Sequence, residues 1–195
     1  VMARVELGAA TVTGGWRIEH TDLEVEGFQL ANRATVTPVE RALIEAVALR
    51  YSDPAPATPE AQAALDQAYA AAMRAAAKAF PGDADVAYLA AEALLNLHPW
   101  DLYTTGGEPR EWTPEIVVLL ERGLAKAPDH AGLCHLYIHA VEASKTPERA
   151  VGAAERLRTR MPGAGHLVHM PSHIFQRIGR YADSALANER AVAAD

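Results

Sequence analysis

Five of the eight histidines lie between positions 135 and 173, and four of these form two identical spacings, His135-x-x-x-His139 and His169-x-x-x-His173. On a helix, residues four apart project from one face, so each pair offers two imidazoles side by side. Eight histidines in a chain of this length give roughly 0.3 such spacings by chance, on simple template counting. His166 stands one turn before His169, and Glu142 one turn beyond His139. Imidazole is the commonest side-chain ligand for zinc and also serves copper and non-haem iron. His135, His139, His166, His169 and His173 are therefore expected to hold a divalent transition metal. Zinc is the first expectation, with copper and iron as alternatives. Three or four imidazoles with a carboxylate suit a metal-dependent hydrolase, and paired His-x-x-x-His helices suit an oxidase. The competing readings are a polar groove that hydrogen-bonds a peptide, and a groove that gains charge as the pH falls.

The elements that must position these side chains are helical. Alanine supplies 41 of 195 residues, which favours helix over sheet. Thr37-Pro38 and Thr58-Pro59 read as helix starts, with a capping threonine and a proline in the first turn. They open helices running to about Tyr51 and to Pro81-Gly82. Further helices are expected over 84–97, 113–127, 130–144, 147–160, 166–178 and 181–194, making about four antiparallel pairs joined by short connections. Two segments depart from this pattern. Residues 1–37 alternate apolar and polar in ARVEL, ATVTGGWRIEH and LEVEGF, and read as an arm or short hairpin turning at Gly14-Gly15. Residues 98–112, HPWDLYTTGGEPREW, form a polar insertion carrying Trp100 and Trp112. It reads either as a wall or lid for a ligand or as a loop anchored by its tryptophans.

A period underlies the helices. Pro128-Asp129-His130-Ala131 and Pro162-Gly163-Ala164-Gly165 punctuate the chain at one fixed interval, and Pro81 precedes Pro128 by that interval plus an insertion. The two histidine pairs are offset by the same interval, so they hold equivalent positions in consecutive repeats. The interval is the helix-turn-helix period of the tetratricopeptide repeat (TPR), which the chain resembles. IGRY at 178–181, the small Ser184, Ala191-Val192, and Ala150, Leu157 and Pro162 one repeat earlier carry the likeness, which covers roughly residues 38–195. Pro171, inside a helix, departs from it. HLYIHAVEAS and AGHLVHMPSHIF are similar to segments of a group of bacterial TPR proteins. The resemblance implies an all-α solenoid of helix pairs whose first helices line a concave groove that binds ligands. Carried one repeat back, the groove positions are Tyr88 and Glu92. With Glu142 these are the candidate catalytic residues, Glu92 and Glu142 as further ligands, as orienters of the ligating rings or as a general base for metal-bound water.

The remaining composition sets limits. A net charge of −7 argues against nucleic-acid or anionic-membrane partners. The lone Cys134 rules out an internal disulfide framework and reads as a small buried hydrophobe. No apolar run is long enough for a membrane span, and a cytoplasmic location is expected. The sequence stops at Asp195, at the end of a repeat's second helix with no polar cap after it, so self-association or a longer array is expected. The reading is a metal-binding helical-repeat protein, a candidate metal-dependent hydrolase or oxidase. The alternative is a TPR module that binds a peptide or partner protein without metal.

Overall fold

A computed structural model describes residues 3–7, 10–14 and 36–194. The chain is an all-α solenoid of antiparallel helix pairs preceded by a short hairpin. Strands β1 (Ala3–Leu7) and β2 (Ala10–Gly14) pair antiparallel, with Val5 opposite Val12 and Leu7 opposite Ala10. The strands therefore join at the Leu7–Ala10 end rather than turning at the expected Gly14-Gly15. Gly14 lies opposite Ala3 at the open end of the ladder. The remainder of the predicted arm, LEVEGF included, lies outside the described residues.

The helices begin where side chains can satisfy the free amides of a first turn. Helix α1 (Pro38–Ala48) opens with a reciprocal cap: Glu40 N–H donates to Thr37 Oγ1 at 3.2 Å and Thr37 N–H to the Glu40 carboxylate at 2.7 Å. Thr58 caps α2 (Pro59–Ala79) and Asp83 caps α3 (Ala84–Leu97). Next come α4 (Thr113–Lys126) and α5 (Ala131–Val141). Helix α6 (Val151–Arg160) follows a 3-10 turn at Pro147–Ala150.

The single helix expected over 166–178 is instead two short ones, α7 (Gly165–His169) and α8 (Pro171–Arg177), before α9 (Tyr181–Ala194). Pro171 is the cause. It has no N–H to give the carbonyl four residues back, and its ring crowds that carbonyl.

Consecutive helices pack on one another from α1 to α6. Helix α8 then sets against α6, and α9 covers α7 and α8. Helix α3 also touches α5, placing first helices of successive pairs side by side. Alanine permits the close approach: Ala70, Ala90, Ala91, Ala140, Ala150 and Ala154 are completely buried at these contacts. Gly123 marks one of the tightest. A Cβ there would stand 2.8 Å from Leu133 Cδ1 and 3.2 Å from Ala87 Cβ, so α3, α4 and α5 meet around a missing side chain. Leu94, Ile116, Leu120, Leu133, Ile138, Leu157 and Ile174 fill the layers. Phe175, the largest fully buried side chain, anchors the last repeat. The guanidinium groups of Arg158 and Arg180 lie 5.4 and 4.2 Å from its ring centre. Among the described residues no helix is long and apolar enough to cross a membrane.

Candidate functional site

The helix stacking decides which histidines meet. Helix α5 carries His135 and His139, and its end cap is Glu142. His166 and His169 sit on α7 and His173 on α8. Although Pro171 interrupts the helix between them, His169 and His173 still meet, with Nε2 atoms 2.9 Å apart. Across the repeat boundary, His135 Nε2 and His166 Nε2 are 3.1 Å apart. His139 lies 5.0 Å from His135, 5.4 Å from His173 and 6.4 Å from His166 between ring centres. All five histidines named from the sequence therefore belong to one contiguous cluster, which spans two repeats.

Glu142 ties the cluster together. One carboxylate oxygen faces His139 Nδ1 at 3.1 Å and the other contacts His173 Nδ1. Burial pushes the carboxyl up, but the hydrogen bonds and charge of His173 and His139 outweigh it, and the group is held at about 2. An ionised Glu142 accepts from Nδ1 of both rings, so the neutral form of either ring has its proton on Nδ1 and its lone pair on Nε2. His169 Nε2 faces His173 Nε2 at 2.9 Å. Its Nδ1 lies 2.6 Å from the Asn188 side-chain amide and 3.3 Å from Ser172 Oγ. The Asn188 atom facing Nδ1 is the side-chain oxygen, which accepts from Nδ1–H. A continuous chain results, Asn188 to His169 to His173 to Glu142, with His139 as a branch. His135 stands apart from it. Burial first, then the neighbouring His139, His166 and His173, hold His135 down at about 4. His166 is lowered for the same reasons, burial leading. Near neutral pH these two rings are uncharged and offer lone pairs.

Tyr88 and Glu92 are not brought to this cluster. Counting one repeat back lands on α3, but that helix shows these positions to other neighbours. The Tyr88 ring lies over Gly132, where a Cβ would be 2.8 Å from Tyr88 Cδ2, and 5.7 Å from the His130 ring. Glu92 faces Arg50 at 3.7 Å and accepts from Asn96 Nδ2 at 2.5 Å. The other described histidines have structural partners. His130 caps α5 through the Leu133 amide and meets Asp85 at 3.0 Å. His98 stacks on Trp112 with ring centres 3.9 Å apart. Cys134 is buried, and its burial raises the thiol pKa.

The 98–112 loop, rather than Tyr88 and Glu92, stands beside the cluster. It is firmly built: Trp112 Nε1 donates to the Asp101 carbonyl at 2.8 Å and Tyr103 Oη to the Ala140 carbonyl at 2.8 Å. The buried Thr113 hydroxyl donates to the Leu102 carbonyl, and Lys145 pairs with Glu108. The two readings of the loop divide between its tryptophans. Trp112 is the anchor. Trp100 is 89% exposed and its backbone is left-handed at φ 61°, a conformation that side chains other than glycine seldom adopt. Its ring stands edge-on to His139 at 6.1 Å. Between this loop and the cluster opens a cavity of about 310 Å³ lined by Leu95, Trp100, Leu102, Leu136, His139 and Glu142, among others.

Nothing in the sequence singles out Asn188 or Ser172. Neither residue type is distinctive, and Asn188 reaches His169 only because α9 folds back over α7.

No protein-family model matches the chain, and no curated protein sequence matches it. Its fold is similar to solved structures of MamA, which are TPR-like helical solenoids. One MamA crystal structure superposes with a TM-score of 0.56 at 12% identity, covering 87% of this chain and 85% of that one. A second, described as MamA MSR-1 C2, superposes with a TM-score of 0.51 at 12% identity, covering 89% of this chain and 95% of that one. The TPR-type helical-repeat fold follows from these likenesses.

Proposed function

We propose that the chain is a TPR-type binding module that takes a peptide segment of a partner protein in the cavity between α3, α5 and the 98–112 loop. The observation carrying this is Trp100. A large aromatic held almost wholly in solvent, on a strained residue of an otherwise pinned loop, is strain retained at a functional position. Below it, Leu95, Leu102 and Leu136 offer an apolar floor, while His139 and Glu142 offer polar groups at one end. An apolar side chain of the segment fits the floor, beside the polar end that His139 and Glu142 form. Helical repeats commonly use such concave faces for extended ligands.

A metal-dependent hydrolase or oxidase has less behind it. Tyr88 and Glu92 stand outside the cluster, and both oxygens of Glu142 already accept from imidazoles. Self-association is supported by α9, where Tyr181 and Val192 are 64% and 79% exposed. Light scattering showing monomer alone would remove it. The binding reading is tested by selecting displayed random peptides against the full chain. Selected peptides should lose at least tenfold in affinity against Trp100→Ala, about 1.4 kcal/mol. Peptides indifferent to that substitution would place binding elsewhere.

A further inference from the structure

The five clustered histidines do not have equal calls on their nitrogens, and this separates a support from a site. His169 and His173 spend theirs within the protein, on Asn188, on each other and on Glu142. His139 spends only Nδ1, on Glu142. His135 and His166 face each other through Nε2. One donor nitrogen from each of His135, His139 and His166 can be chosen so that all lie within 4.8 Å of one another.

The geometry points to a divalent transition-metal site formed by Nε2 of His135, His139 and His166, with Glu142 acting through Nδ1 of His139 as a positioning residue. The separations suit such an ion. Zinc–nitrogen bonds of 2.0–2.1 Å at tetrahedral angles put ligand nitrogens roughly 3.3 Å apart, and His135 Nε2 and His166 Nε2 are already 3.1 Å apart. The donor set suits it too: a carboxylate on the far nitrogen of His139 orients that ring and raises its basicity, as in carboxylate–histidine–metal arrangements. Three protein ligands leave a position open. The site lies across two repeats, so the ion would join α5 to α7. Metal uptake is measured without peptide, so the site stands or falls separately from peptide binding.

The test titrates the full chain with Zn²⁺ and with Co²⁺ against a chromophoric chelator, following the visible ligand-field bands of cobalt. About one equivalent should bind with a Kd below about 1 μM. His135→Ala and His166→Ala should each abolish it, with far-UV circular dichroism reporting unchanged helix. Glu142→Gln should retain a full equivalent but weaken it about 10- to 100-fold, and His169→Gln should stay within tenfold of the parent. Binding weaker than about 100 μM in the parent would overturn the site. So would a full-affinity site in His135→Ala or His166→Ala, or complete loss in His169→Gln alone.

Discussion

The left-handed backbone at Trp100 gives a prediction in which strain and side-chain contacts can be told apart. Consider Trp100→Gly beside Trp100→Ala. Both remove the ring, so its edge contact with His139 at 6.1 Å drops out of the comparison. What remains is backbone. An L-residue at φ 61° carries a penalty of about 1–2 kcal/mol that glycine escapes. Against this, glycine loses about 0.5–1 kcal/mol more conformational entropy on folding than alanine does. The Gly variant should therefore be the more stable of the two by about 0.5–1 kcal/mol, the reverse of the order at an ordinary loop position. Urea denaturation followed by far-UV circular dichroism resolves this, because the helical signal does not depend on the substituted indole. Since the ring is 89% exposed, neither variant should fall more than about 1 kcal/mol below the parent. Peptide binding should be lost in both. An alanine variant as stable as the glycine variant, or more so, would refute the strain argument. A loss above about 2 kcal/mol in both, well beyond the usual effect of a surface substitution, would show that the ring supports the loop rather than faces a ligand.

Two further outcomes follow from the core. Phe175→Ala empties the largest fully buried side chain and removes the ring between Arg158 and Arg180. It should cost about 3–5 kcal/mol in the same denaturation assay, and less than about 2 kcal/mol would mean that the last repeat is not docked through it. Tyr69 is raised to about 12, burial first and the Glu92 charge second. Because its folded pKa lies above its unfolded value near 10, its stabilising contribution is complete below pH 10 and fades as the pH rises toward 12. A rise from 10 to about 12 corresponds to about 2.7 kcal/mol. Tyr69→Phe should flatten that alkaline loss, and an unchanged pH profile would count against it.

The parts of the fold legible in the sequence are those with local causes. Thr37 and Thr58 mark helix starts because a cap is a contact over three residues. The histidine pairs can be placed side by side because a fixed period carries one helix's register to the next. Legibility fails where a distant neighbour decides. Counting across an insertion assigns Glu92 to the groove, but Arg50 and Asn96 hold it. Asn188 joins His169 only after α9 folds back. Pro171 is visible as an anomaly, yet the alternation of apolar residues around it conceals that one helix becomes two. Glu142 reads from the sequence as a ligand, an orienter of ligands or a general base. That it bridges two rings depends on α8 lying against the end of α5, a packing fact with no local signature.

The 98–112 loop has a consequence for how such a protein can diversify. It is tied to α4 and α5 through Thr113 and Tyr103 and closed on itself by Trp112, while Ser172 and Asn188, which hold His169, belong to α8 and α9. In a solenoid each unit is stabilised by its immediate neighbours, so loop positions other than Trp100 and Tyr103 can change while α7, α8 and α9 keep their hold on His169 and His173. His139 and Glu142 belong to the cavity wall and to the imidazole cluster alike, so a change in what the cavity takes is felt at the near end of the cluster, while its far end on α7 to α9 is inherited with the repeat.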